Sequence, residues 1–134
     1  MGFLKTKYEN HLYVIFRIGI GALFFMFGIQ KLFGLWGMPG GAAGFGTLVW
    51  VAGAGEFLIG LALISGVLTR LASFFGVIEM LVAYYLGHVS VGGWNPLINQ
   101  GYPALMFLFV FLATLAYGAK KASLEQKVFG KEFF

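Results

Sequence analysis

Apolar residues gather into four runs, at about residues 12–33, 47–68, 70–87 and 102–118, separated by polar or glycine-rich stretches. In the first run Arg17, Gly21, Phe24, Gly28 and Lys31 follow a 4-3-4-3 spacing, which puts all five on one face of a helix. That face is cationic at both ends and narrow in the middle, because Gly21 and Gly28 carry no side chain and let a second helix come close. About 22 apolar residues at 1.5 Å each cross a hydrocarbon core of ~30 Å. The run is too long for a signal-peptide core and no small-residue cleavage pattern follows, so it is expected to be retained. The second and third runs are tied only by Gly66-Val67-Leu68-Thr69-Arg70, a helical hairpin. Pro103 falls in the first turn of the fourth run, where its missing N–H costs little. No stretch alternates as a strand does. The pattern predicts one all-α domain over residues 1–134, an integral membrane four-helix bundle, with residues 119–134 as an amphipathic tail on the membrane surface.

Composition agrees and adds topology. The 134 residues are 60% hydrophobic and 10% charged, with a mean hydropathy of +0.87; soluble domains carry about 25% charged residues. The net charge of +4 is spread over segment ends and forms no patch for nucleic acid. Lys5, Lys7, Arg70, Lys120, Lys121, Lys127 and Lys131 all fall on one side of a four-span arrangement, and residues 34–46 and 88–101 hold no Lys or Arg. The positive-inside rule then gives an N-in/C-in protein, both termini cytoplasmic, with a prokaryotic plasma membrane as the expected location. Trp36 and Trp94 fall at the outer interface.

Two carboxylates lie inside the spans. Glu56 is about ten residues into the second run and Glu79 about nine into the third, both ~14–15 Å deep and near one level. An unpaired carboxylate there costs at least ~2.5 kcal/mol, so each is expected to face protein within its stripe of small residues: Gly53, Glu56, Gly60 and Leu63 on one helix, Ala72, Gly76, Glu79 and Ala83 on the other. Arg17, ~8 Å into the first helix, is the expected partner, and Arg17, Glu56 and Glu79 form the expected polar membrane centre. Lys31 is expected to snorkel to the outer water. Two readings stay open: a buried bridge that fixes helix register, or a proton or ligand site, since two carboxylates and one cation leave one charge unbalanced.

Little else carries chemistry. The chain has no cysteine, which removes thiol chemistry and thiolate metal sites. His88 follows Glu79 by nine residues, the opposite face of a straight α-helix. His11 and His88 fall at opposite surfaces and do not make a haem pair. No phosphate-loop, zinc-protease or serine-hydrolase motif occurs, and no metal site is expected. Tyr84, Tyr85, Trp94 and Tyr102 gather near one end as an interfacial belt or as walls for a flat isoprenoid head group. Lys31, His88, Tyr84 and Trp94 are the candidate quinone contacts.

Arg17-x-x-x-Gly21, Gly28-x-x-Lys31-Leu32-Phe33 and Glu56-x-x-x-Gly60-x-x-Leu63-x-x-Gly66-x-x-Thr69-Arg70, in that order, resemble the DoxX/DoxD family of small four-helix membrane proteins. Gly118-Ala119-Lys120-Lys121-Ala122-Ser123-Leu124-Glu125 is similar to the family's closing element, with Glu125 in place of its aspartate. The glutamate that relatives often carry before the last helix has no counterpart in Gly101-Tyr102-Pro103. The resemblance implies a membrane subunit of a quinone-linked redox complex, auxiliary rather than catalytic, with quinone as a non-covalent cofactor. Its partners would be lipid, other membrane or redox subunits, or copies of itself. The alternative is an accessory subunit that only anchors or stabilises a larger membrane assembly.

Overall fold

The computed structural model describes residues 8–133, and they are helical without a strand among them. Helix α1 spans Glu9–Phe33, α2 spans Leu48–Ser65 and α3 runs over Thr69–Gly92, passing through a π-helical turn at Tyr85–Val89. Helix α4 spans Tyr102–Tyr117, and a short α5, Leu124–Phe129, follows it. Local chemistry sets the ends. Thr47 caps α2 by accepting a hydrogen bond from the Trp50 N–H, and Pro103 opens α4. Gly66 stops α2 at φ +72°, a left-handed conformation that costs glycine nothing. Helices α1, α2 and α3 are long and apolar enough to cross a membrane; α4 is apolar with 16 residues.

The residues buried on α1 are Arg17, Gly21, Phe24 and Gly28, the face that the 4-3-4-3 spacing marks. It packs on Gly53, Gly60 and Leu63 of α2 at backbone distance. A Cβ on Gly28 would lie 2.5 Å from the Phe57 nitrogen, and one on Gly60 2.5 Å from the Phe25 nitrogen. Helices α3 and α4 form a second pair, in which Gly76 receives the Phe111 ring and Ser73 and Thr114 share a 2.7 Å hydroxyl hydrogen bond. Aromatic contacts from Phe24 to Phe107 (5.1 Å) and Phe111 (4.8 Å) join the two pairs. Helices α2 and α3 meet along a thinner seam. Large apolar side chains such as Leu12, Ile15, Leu23, Leu58 and Phe74 point outward, as lipid-facing positions do.

The C-terminal segment departs from the expected surface tail. Ala119, Ser123 and Glu125 are buried. Ser123 donates to the Gly66 carbonyl at 2.7 Å, and Glu125 accepts from the Leu68 N–H at 3.4 Å. The segment closes one end of the bundle because the carbonyls and N–H groups left over at the α2–α3 turn need partners there.

Candidate functional site

Arg17 belongs to that closed end, which corrects its expected place beside the glutamates. Its guanidinium is fully buried and donates to the carbonyls of Ala119, Lys121 (3.2 Å) and Ala122 (2.9 Å). Three carbonyls converge on the two terminal nitrogens of the fork, so the buried guanidinium is held by backbone acceptors, with its Nε left unpartnered. Tyr13 donates to the Gly118 carbonyl at 2.6 Å in the same cluster. Arg17 is a structural latch.

Lys31 takes the role expected of Arg17. Its ammonium lies 2.7 Å from both carboxylate oxygens of Glu56 and 5.4 Å from the centre of the Phe27 ring, so it turns inward and does not snorkel. Glu56 is buried and Lys31 partly exposed, with side-chain exposures of 8% and 23%. Two glycines make this possible. A Cβ on Gly53 would meet the Lys31 Cβ at 2.9 Å, and a Cβ on Gly55 would meet Glu79 Oε2 at 2.7 Å. Glycines one and three positions before Glu56 thus admit the lysine and the second carboxylate on either side of it. Glu79 lies within electrostatic reach of both Glu56 and Lys31, and its Oε1 is buried with no hydrogen-bond partner. The ammonium is spent on Glu56, and Glu79 lies beside the pair with its buried Oε1 unpartnered.

This cluster faces a cavity of about 940 Å³ walled by all four long helices. Phe24, Phe27, Ile59, Met80, Ala104 and Phe107 supply apolar walls, while Leu58, Phe75, Ile78 and Val82 stand on its rim and are exposed. The mouth therefore opens along the thin α2–α3 seam toward the lipid-facing surface.

The aromatic end divides the remaining candidates. His88 lines the cavity together with Glu79, although nine α-helical residues would set them on opposite faces. The π turn explains the difference: its i→i+5 hydrogen bonds widen the helix, each residue advances by a smaller angle, and His88 falls short of the opposite face. Its Nδ1 lies 3.0 Å from the Asn99 carbonyl oxygen, and its ring stacks on Tyr84 at 6.4 Å. Tyr84 is buried and donates to the Trp94 carbonyl at 2.6 Å. Trp94 is exposed and packs on Tyr85 at 6.1 Å. Tyr84 and Trp94 pin the loop between α3 and α4 and stand outside the cavity lining, whereas Lys31 and His88 belong to it.

Comparison with known proteins agrees with the sequence motifs. The DoxX family profile matches residues 12–89, more than half the chain. The protein belongs to the DoxX family. An uncharacterized protein of Haemophilus influenzae is 33% identical over 129 residues, covering 93% of this chain and 96% of the relative. No solved structure matches significantly. The segment matched by the DoxX profile contains Lys31, Glu56, Glu79 and His88, all four polar side chains of the cavity. The carbonyls that hold Arg17 lie beyond it, in the C-terminal segment.

Proposed function

We propose that this DoxX-family protein is a membrane subunit of a quinone-linked redox assembly, and that its cavity receives the head group of a quinone-class lipophile. The supporting observation is an apolar cavity of about 940 Å³ whose lining includes the Lys31–Glu56 ion pair and Glu79 with its unpartnered oxygen. Ligand pockets commonly measure about 300–1,000 Å³ and combine apolar walls with a few placed polar groups; a ring with an isoprenoid tail fits that description. A bound quinone would supply two-electron, two-proton chemistry, with electrons exchanged through a cofactor-bearing partner. This chain's residues orient the head group, keep water from it and take up a proton at Glu79. Lys31 holds Glu56 in place and lowers the cost of a second carboxylate nearby.

In this reading the chain crosses the membrane four times, with both termini cytoplasmic in a prokaryotic plasma membrane. Helix α4, at ~24 Å, is short for a span, and the buried Gly118 and Ala119 beyond it extend its apolar length. Arg70 reaches the Ala116 carbonyl at 3.4 Å, so the cation of the α2–α3 turn and the lysines of the C-terminal segment share one end, as the positive-inside rule asks of a cytoplasmic face. A purely anchoring subunit would need neither the cavity nor Glu79. The test is photolabelling in nanodiscs with a photoreactive quinone analogue. Competable labelling of peptides from α2 and α3 is expected, and labelling that an excess of unmodified quinone fails to displace would overturn the reading.

A further inference from the structure

The loop between α3 and α4, residues 93–101, is inside out for a loop in water. It contains no Asp, Glu, Lys or Arg. Its large apolar side chains point away from the protein: Trp94 is 72% exposed, Leu97 73% and Ile98 72%. Its polar side chains turn back onto the loop's own backbone. Asn95 Oδ1 accepts from the Leu97 N–H at 3.0 Å, and the Asn95 carbonyl takes the N–H groups of Ile98 and Asn99. Asn99 bridges the loop with both ends of its amide, donating to the Gly93 carbonyl and accepting from the Gly101 N–H, each at 2.7 Å. Gln100 donates to the Leu97 carbonyl at 3.0 Å, and Tyr84 and His88 reach the Trp94 and Asn99 carbonyls from α3. Water would satisfy this backbone without such pairing, whereas in lipid the partners have to come from the protein.

We infer that the loop lies in the lipid of the outer leaflet, at the boundary of head groups and acyl chains, with Trp94, Leu97 and Ile98 against the acyl chains. Helix length agrees. The 16 residues of α4 rise ~24 Å against a hydrocarbon core of ~30 Å, so backbone at one of its ends is drawn into the apolar layer. Exposed Lys120 and Lys121 follow the far end, where charge keeps the chain in water. The uncharged loop stands at the near end. Its surface gives a protein partner no charge by which to orient, and acyl chains need none. The inference rests on α4 crossing the membrane and is independent of what the cavity holds.

The chain has no cysteine, so a nitroxide can be attached at Leu97→Cys, Ile98→Cys, Phe109→Cys or Lys127→Cys, one at a time, in the full chain reconstituted in phospholipid nanodiscs. All four side chains are exposed, and each label replaces little packing. Collisions with oxygen, which concentrates among acyl chains, are compared with collisions with a nickel chelate, which stays in water. Lys127 should favour the chelate and Phe109, in the middle of α4, oxygen. Leu97 and Ile98 should also favour oxygen. Labels at 97 and 98 that favour the chelate while Phe109 favours oxygen would overturn the inference and leave the four-span reading standing. A chelate preference at Phe109 as well would overturn the crossing of α4 itself. Shielding of 97 and 98 from both reagents would mean that protein covers the loop, and would also overturn the inference.

Discussion

Substituting Gly28 by alanine adds one methyl group at the closest approach of α1 and α2. That carbon would stand 2.5 Å from the Phe57 nitrogen and 2.8 Å from both the Gly53 oxygen and the Phe57 Cα, whereas ordinary contact begins near 3.4 Å. All three atoms are backbone, so no side chain can rotate away and the helices must part by most of an ångström. Overpacking of a close-packed interior costs about 1–3 kcal/mol, and the upper half of that range applies where only backbone can yield. Gly19, two residues before the buried Gly21, has nothing within 4 Å of the point where a methyl group would stand, so Gly19→Ala should be neutral or gain up to ~1 kcal/mol of helix propensity. The two single-methyl changes therefore differ by roughly 2–4 kcal/mol on one helix. Unfolding by sodium dodecyl sulfate in mixed micelles, followed by circular dichroism, measures that gap. A Gly28→Ala protein as stable as the wild type, or a Gly19→Ala protein equally weakened, would refute the packing argument.

Three further outcomes follow from the charged residues. Lys31→Met strips Glu56 of its hydrogen-bond donor and should cost about 3–5 kcal/mol, and the double change Lys31→Met with Glu56→Leu should recover most of it; the same unfolding assay gives the double-mutant cycle. Arg17→Met should free the C-terminal segment, raising the rate of trypsin cleavage at Lys120 and Lys121 by about tenfold or more, since charge-assisted hydrogen bonds are worth about 1.5–3 kcal/mol each; an unchanged rate would show that Arg17 does not hold the segment. Because the chain has no cysteine, single cysteines at Ala43 and Lys121 report topology by labelling in intact cells. Only the first should react with an impermeant maleimide.

Helix positions were legible because each apolar run carries its own punctuation: glycine at the ends of α1 and α2, Thr47 before α2, Pro103 in the first turn of α4. The buried face of α1 was legible because glycines at helical spacing mark close approach. The pairing of charges was not, because depth was counted along α1 from the end where the closing segment docks. Counted from the other end, Lys31 lies two residues from the end of α1 and Glu56 eight from the start of α2, ~3 and ~12 Å, within a lysine's reach once Gly53 clears the way. Gly53 and Gly55 were the available signal. His88 was misplaced for another reason: a π turn leaves no mark in the hydrophobic pattern, so its change of phase stayed hidden. The docking of the closing segment was also hidden, since its bonds to Arg17 are backbone carbonyls that any residue supplies.

A DoxX-family chain that holds a ligand within a membrane redox assembly should come away from its membrane with both. Native mass spectrometry of the protein released from its own membrane in mild detergent should therefore show a complex with redox subunits of other sequence and a retained isoprenoid-sized mass on this chain. A bare homo-oligomer carrying no lipophile would rule the proposed role out.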